Sequence, residues 1–453
     1  MSPPPPRRDA ASARPGLAAR DAAVRLLAAV LDDGRSLDAE LDADGGRNTL
    51  PLRDRALGRA IVGTALRRHG EIAAVLGRLV DRPPARAGNL MRILETAAAQ
   101  ILFMEVADHA AVSIAVDQVA ADPAARRYKG LANAVLRRIA GEGTSLLAGL
   151  DAGVNTPAWL WQRWCATYGE ADARRIAEMH RLEPYLDLSV KSDPQAWAER
   201  LGGTVLPTGT VRTVASGLLD TLPGYGAGAW WVQDAAAALP ARLLGDVAGR
   251  RVADLCAAPG GKTAALCAAG AEVTAVDISA VRLERLTANL ARLDLAARTV
   301  VADVLEWTPP ERFDAVLLDA PCTATGTIRR HPDIPWLKSA EAIADMAAAQ
   351  GRLLRHAVDL LVPGGRLVYC TCSLEPEEGE EQIARLIADG APVERMAIDP
   401  AEVGAPAETL TATGELRTLP CHWPAPEPRM GGLDGFFISR LTKLPSLARA
   451  RRG

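Results

Sequence analysis

At 453 residues the chain exceeds one ordinary domain, and its 49% hydrophobic and 24% charged residues exclude disordered and fibrous classes. With 52 basic against 55 acidic residues the net charge is −3, which excludes a nucleic-acid binder acting through bulk charge. No run reaches the ~20 apolar residues that cross a bilayer, so no membrane contact is expected.

The first 16 residues, MSPPPPRRDAASARPG, are Pro-rich without an apolar signal core and are expected to form a disordered tail. Seven cysteines, odd and sparse, suit free thiols in a reducing compartment, so a cytoplasmic location follows. From 17 to 145 the pattern is helical. RDAAVRLLAAVLDDG places Val24, Leu27 and Val30 or Leu31 on one face and stops at Gly34. DRALGRAIVGTALRRHG, NLMRILETAAAQILFM and KGLANAVLRRIAG repeat that period, which predicts an all-helical domain.

Residues 146–240 read as a small α+β connecting domain. TPAWLWQRWCATYG is a helix there, with Trp159, Trp161 and Trp164 as core anchors, and PYLDLSVKSD and GTVRTVASG hold short strands. Over 241–445 the strands RVADLC, AEVTAVD, RTVVAD, FDAVLLDAP and GRLVYCTC alternate with helical stretches. That order predicts an α/β fold with a mostly parallel, doubly wound sheet, closed by a last strand in GGLDGFFISRL. Residues 446–453 form a basic tail. Local basic runs, LRRH at 66–69, VLRRI at 135–139 and IRRH at 328–331, are the candidate RNA contacts, and each reads equally well as a solvated helix or loop face.

A parallel sheet places ligands at the carboxyl ends of its strands, and the chemically loaded residues fall there. The first strand runs into CAAPGGKT, where Gly260 and Gly261 let the backbone approach a ligand as a helix opens. A P-loop fails, because the position its pattern reserves for glycine is Cys256; the G-x-G-x-x-G fingerprint is also missing. Asp277, at the end of the second strand, suits the hydroxyls of a ribose, and Asp303, after the third, an adenine amino group. Asp319 ends the fourth, just before Pro321 and Cys322. Ribose and adenine are provided for, whereas nothing reads a triphosphate or a nicotinamide. That profile fits S-adenosylmethionine.

CAAPGGKT, DAPCTATGTIRRHPDIPW and VYCTCS, in this order and spacing, resemble the RsmB (Sun/Fmu) family of RNA 5-methylcytosine methyltransferases. GLANAVLRRI resembles the NusB-like RNA-binding domain that precedes the catalytic domain in those proteins. The resemblance implies a Rossmann-like class I methyltransferase domain that methylates carbon 5 of a cytosine in small-subunit (16S) ribosomal RNA. It further implies cofactor contacts from Cys256, Ala257, Ala258, Pro259, Gly260, Gly261, Lys262, Asp277, Asp303 and Asp319. Leu433 departs from the family by interrupting a Gly-Gly-Asp-Gly turn.

Carbon 5 of cytosine is a weak nucleophile until a thiolate adds to carbon 6, and a second group must then help release the product. Cys372 and Cys322 stand at the ends of strands expected to be neighbours, so both can face one base. Spacing does not say which attacks. The resemblance makes Cys372 the nucleophile and Cys322 the release helper, with Asp319 holding the base or the cofactor amine. Lys262 either favours a thiolate nearby or snorkels to solvent. A zinc site would need two further ligands close to Cys370 and Cys372, and only Cys421 and His422 offer a pair, so no metal is expected. A transfer RNA substrate and a non-catalytic RNA-binding assembly factor are the competing readings, and a monomer is the default assembly.

Overall fold

The computed structural model describes residues 14–45, 50–215 and 217–445; most of the Pro-rich tail and the basic tail lie outside the described residues. The chain divides into two compact units, one reaching to Gln162 and including His331–Leu337, the other formed by Arg163–Arg330 and Lys338 onward. The expected 146–240 connecting domain is therefore shared: its first residues pack with the helices and the remainder with the large sheet.

The first unit contains α1 (Leu17–Leu31), α2 (Leu37–Gly45), α3 (Leu52–Arg67), α4 (His69–Leu79), α5 (Leu90–Phe103), α6 (Asp108–Ala121) and α7 (Lys129–Leu147). In α1, α3, α4, α5 and α7 the apolar residues recur every third or fourth position, so these helices turn one face to a common core. Leu26, Leu27, Val62, Leu66, Leu94, Ala98, Leu136 and Ile139 meet there, all nearly or fully enclosed. The segment His331–Leu337, with its single turn α14 (Ile334–Leu337), belongs to this unit although the sequence placed it in the catalytic domain. Asp333 Oδ2 accepts from the Leu37 amide at 2.9 Å, satisfying a donor at the start of α2. The rings of Trp336 and His69 meet edge to face at 4.6 Å, and His331 Nδ1 lies 3.0 Å from Asp38 Oδ2.

The second unit opens with α8 (Ala158–Tyr168), within which the chain divides, and α9 (Glu170–His180). A four-stranded antiparallel sheet follows: β1 (Leu186–Val190), β2 (Gly203–Val205), β3 (Val211–Thr213) and β4 (Trp230–Val232), in the order β2-β3-β1-β4, with α10 (Pro194–Arg200) between its first two strands. Asp187 and Arg212 face each other across β1 and β3, and both are fully buried. The two bonds between them, each 2.7 Å, form the parallel fork that lets a carboxylate and a guanidinium share a dry site.

After α11 (Leu239–Arg242) come β5 (Arg251–Leu255), α12 (Gly261–Ala268), β6 (Glu272–Asp277), α13 (Ala280–Arg292), β7 (Arg298–Val301) and β8 (Phe313–Asp319). Then follow α15 (Ala340–Asp359), β9 (Leu361–Thr371), α16 (Glu380–Ala388), β10 (Val393–Arg395), β11 (Leu416–Thr418) and β12 (Phe436–Lys443). The order across the sheet is β10-β12-β9-β8-β5-β6-β7, with β11 pairing β12. β5 to β9 run parallel, and β12 returns antiparallel to β9. This is the Rossmann-like α/β arrangement expected from the strand–helix alternation. β8 shows why the strands form here. Val316 and Leu318 pack on one side of the sheet, Ala315 and Leu317 on the other, so its unbroken apolar run suits a strand covered on both faces.

Candidate active site

β5 delivers the chain into Cys256–Lys262. Cys256 takes a left-handed conformation (φ 58°), the Ala257 amide donates to the Val276 carbonyl at 3.1 Å, and Gly260 follows at φ 101°. A Cβ on Gly260 would lie 2.7 Å from Leu286 Cγ, so the turn needs glycine for both its dihedral and its close packing on α13. Asp277 braces the loop from the next strand. Its Oδ2 accepts from the Ala258 amide at 3.1 Å and its Oδ1 from the Ser279 amide at 2.9 Å. With 2% exposure, Asp277 is committed first to building the cradle rather than standing open to a ligand.

Asp254, inside β5, accepts from the Thr263 hydroxyl at 2.5 Å and ties the start of α12 to the sheet. Burial raises its carboxyl to about 7, the Thr263 hydrogen bond opposing and the Asp319 charge adding to the rise. The folded chain thus keeps a proton that the unfolded chain has released, and the stability this contributes at low pH is lost as pH rises toward about 7. Relative to Asp254→Asn, the wild-type chain is expected to lose about 1 kcal/mol per pH unit between roughly pH 4 and 7 and then run level. Urea melts of the two proteins across that range measure it, and a constant difference would contradict a protonated Asp254.

The residue types at these strand ends fit the adenosine end of S-adenosylmethionine. Beside Asp277 and Asp303, three apolar side chains lie open to solvent: Ile278 at 70%, Val281 at 62% and Val301 at 59% exposure. Exposed apolar groups close in sequence to strand-end carboxylates suit a flat base attached to a ribose. Asp303 also accepts from the Leu305 amide at 2.9 Å, capping the turn that follows β7. Strand periodicity gives no signal for these three residues, since an exposed apolar side chain at a strand end leaves the period unchanged.

The remaining residues converge because β8 and β9 are parallel neighbours in which Asp319 stands opposite Cys370. Three residues beyond Asp319 is Cys322, and two beyond Cys370 is Cys372; their Sγ atoms are 3.5 Å apart. The Gly326 amide donates to the Cys372 carbonyl at 2.9 Å, and a Cβ on Gly326 would sit 2.0 Å from the Gly435 carbonyl oxygen. The glycines of DAPCTATG and GGLDG thus let two loops close on each other behind the thiols. Leu433, the residue that breaks the family's turn pattern, is buried in the core beside β12.

Lys262 does not snorkel: it is buried and its Nζ lies 2.8 Å from Asp319 Oδ2. Burial alone would lower its pKa, but the Asp319 charge outweighs that and holds it well above the ordinary lysine range. Cys370 is fully enclosed, with Sγ 3.4 Å from Asp319 Oδ1, and burial followed by that charge keeps it a thiol. Burial and the carboxylates of Asp319 and Asp277 push the Cys256 thiol up to about 12. Cys322 is also raised, first by its hydrogen bond to Cys372 and then by burial. Among the described residues, no group of three His, Cys, Asp or Glu is placed to hold a metal ion.

Two of the expected basic RNA contacts are corrected. Arg329 is 1% exposed, and Arg330 is drawn inward, 2.5 Å from Asp234 Oδ2 and 3.1 Å from Asp434 Oδ2. At 66–69, Arg68 pairs with Glu71 at 2.8 Å and stacks over Phe103, while His69 packs on Trp336. Only VLRRI keeps its charge outward, through Arg137 and Arg138, the latter 3.0 Å from Glu142. Of the three tryptophans taken as core anchors, Trp164 is enclosed and donates to Glu375 at 3.1 Å; Trp159 and Trp161 are half-buried.

No helix is long and apolar enough to cross a membrane among the described residues. Comparison with known proteins bears on the same regions. Residues 241–442 match the family described as 16S rRNA methyltransferase RsmB/F, and residues 17–141 match the NusB family. A ribosomal RNA small subunit methyltransferase B from Xanthomonas campestris is 39% identical, the match covering 83% of this chain and 88% of that protein. Its counterpart from Xylella fastidiosa (strain 9a5c) is 37% identical over 93% of this chain and 99% of its own. A solved methyltransferase homolog from Pyrococcus horikoshii superposes with a TM-score of 0.52 at 28% identity, over 62% of this chain and 94% of that one. The cradle, the paired thiols and these matches agree: the chain belongs to the RsmB/F family and is an S-adenosylmethionine-dependent methyltransferase.

Proposed function

We propose that this enzyme methylates carbon 5 of a cytosine in small-subunit ribosomal RNA through a covalent adduct with Cys372, in the cytoplasm. The observation that carries the reading is the pair of thiols held 3.5 Å apart at the ends of adjacent strands, beside the cofactor cradle. Direct methylation of an oxygen or an exocyclic nitrogen gives no reason for two cysteines there; carbon 5 does.

When bound, S-adenosylmethionine supplies an electrophilic methyl group, and Cys256–Lys262, Asp277, Asp303 and Asp319 are the residues that would hold it. Cys372, as thiolate, adds to carbon 6 of the base, and the electron pair moves to carbon 5, which takes the methyl. Carbon 5 then gives up its proton to a base, the ring regains its double bond, and the carbon–sulfur bond breaks. Cys322 stands where the departing Cys372 sulfur can receive its hydrogen bond, and so assists release. Lys262 and Asp319 neutralise one another beside this step, leaving Asp319's second oxygen to orient a base or cofactor amine. Exposed Arg137 on α7 offers a phosphate contact, so RNA affinity is expected to fall with added salt.

Methyl transfer to naked 16S RNA, followed by nucleoside analysis, tests the assignment. The reading requires 5-methylcytidine; a methyl group on a ribose oxygen or on a purine overturns it. Asp277→Ala would strip the buried Ala258 amide and the part-buried Ser279 amide of their acceptor and loosen the cradle. A cofactor affinity about 10- to 100-fold weaker is expected by calorimetry, from the ~1–3 kcal/mol that such orphaned donors cost. Unchanged binding would remove Asp277 from the cofactor site.

A further inference from the structure

We propose that Glu378 is a positioning residue that clamps the Cys322 loop to the Cys372 loop and so sets the distance between the two thiols. The inference rests on the covalent reading above, since only that reaction needs both sulfurs on one base. Glu378 is fully buried. Its carboxylate gathers four donors from three separate stretches of chain. Oε1 accepts from the Thr323 amide at 2.9 Å and from Gln350 Nε2 at 3.0 Å. Oε2 accepts from the Ser373 hydroxyl at 2.5 Å and from the Thr323 hydroxyl. Thr323 and Ser373 are the residues immediately after Cys322 and Cys372, so one carboxylate fixes both loops one bond away from the reacting residues.

The clamp is itself held. Gln350, on α15, also donates to the Pro321 carbonyl at 2.8 Å, gripping the first loop ahead of its cysteine. The Glu378 carbonyl accepts from the Tyr369 hydroxyl at 2.8 Å and the Thr371 hydroxyl at 3.2 Å, both on β9. The brace therefore moves with the strand that carries Cys372, and it imposes that frame on the loop that carries Cys322. Burial raises the Glu378 carboxyl and its hydrogen bonds oppose the rise; whichever form prevails, at least three donors converge on it. A carboxyl group is the side chain that can take so many donors in so small a space.

The test separates clamping from simple support of the fold. In Glu378→Ala, the Cys322–Cys372 disulfide formed by diamide, which is reduced to the hydrazine as the two thiols are oxidised, is expected to close at least about tenfold more slowly. Single-turnover methyl transfer should fall by a similar factor, with half-saturation for RNA and S-adenosylmethionine unchanged. Glu378→Gln should restore both, because its oxygen still accepts and the Thr323 and Ser373 hydroxyls can turn to accept from its nitrogen. Thr323→Val, which deletes a single donor, should give an intermediate rate and keeps the test alive if the alanine variant does not fold. Closure at the wild-type rate in Glu378→Ala, or in Thr323→Val should the former not fold, overturns the clamp. So does a Gln variant as slow as Ala. Disulfide closure needs no RNA, so a wild-type enzyme that makes no cytosine adduct would sink the covalent reading while leaving the clamp to be judged separately.

Discussion

Cys372→Ala is expected to abolish both methyl transfer and the protein–RNA adduct, lowering single-turnover rates by at least about 10⁴-fold, the scale on which an enzyme loses its nucleophile. Alanine leaves the backbone of β9 and its loop in place, because the Cys372 carbonyl still accepts from the Gly326 amide and the neighbouring Ser373 hydroxyl still donates to Glu378; only the contact with the Cys322 sulfur is lost. Folding and cofactor binding should therefore persist. Rates measured with S-adenosylmethionine and 16S RNA, alongside denaturing gels for the adduct, decide it. Retention of an adduct in this variant would move the attack to the other thiol.

Cys322→Ala is expected to do something different in kind. The addition and the methylation need only Cys372, but the departing sulfur loses the partner now 3.5 Å away. The adduct should build up and turnover should fall about 10²- to 10⁴-fold, the usual effect of removing an acid–base group. The raised pKa of Cys322 bears on this contrast, because a thiol that holds its proton is suited to assist departure rather than attack. Denaturing gels over a time course separate the cases. An adduct that disappears in Cys322→Ala but survives in Cys372→Ala reverses the two roles.

Much of this site could be read before any coordinates. The parallel strands were legible because each is a short apolar run ending in Asp, Cys or Gly, and β8 and β9 place Asp319, Cys322 and Cys372 together through register alone. Helix α6 was harder. Its apolar residues are mostly alanine and valine and are spread around the helix, so its amphipathic period is weak until α5 and α7 supply the partner faces. What the sequence could not show was where charge goes. IRRH looks like a phosphate-binding run, yet Arg329 and Arg330 lie in a buried network with Asp187, Asp234 and Asp434, carboxylates far away in the chain. In SLEPEEGEE the acidic residues look like a solvated helix face. Instead Glu375 pairs with Arg163 at 2.6 Å, and Glu378 reaches under the thiols. Long-range pairing of this kind leaves no period behind it. The same holds for HPDIPWL, whose place among the N-terminal helices depends on Asp38, His69 and the Leu37 amide, residues nearly 300 positions earlier in the chain by the Leu37–Asp333 bond.

The most direct measurement is to incubate the wild-type enzyme with S-adenosylmethionine and 16S RNA carrying 5-fluorocytidine, digest the trapped complex, and identify the modified peptide by mass spectrometry. Fluorine replaces the proton that must leave carbon 5, so methylation proceeds but release cannot, and the attacking residue stays joined to carbon 6. The account predicts one cross-linked peptide, modified at Cys372. A cross-link at Cys322, or free RNA that has been methylated without any cross-link, would contradict it.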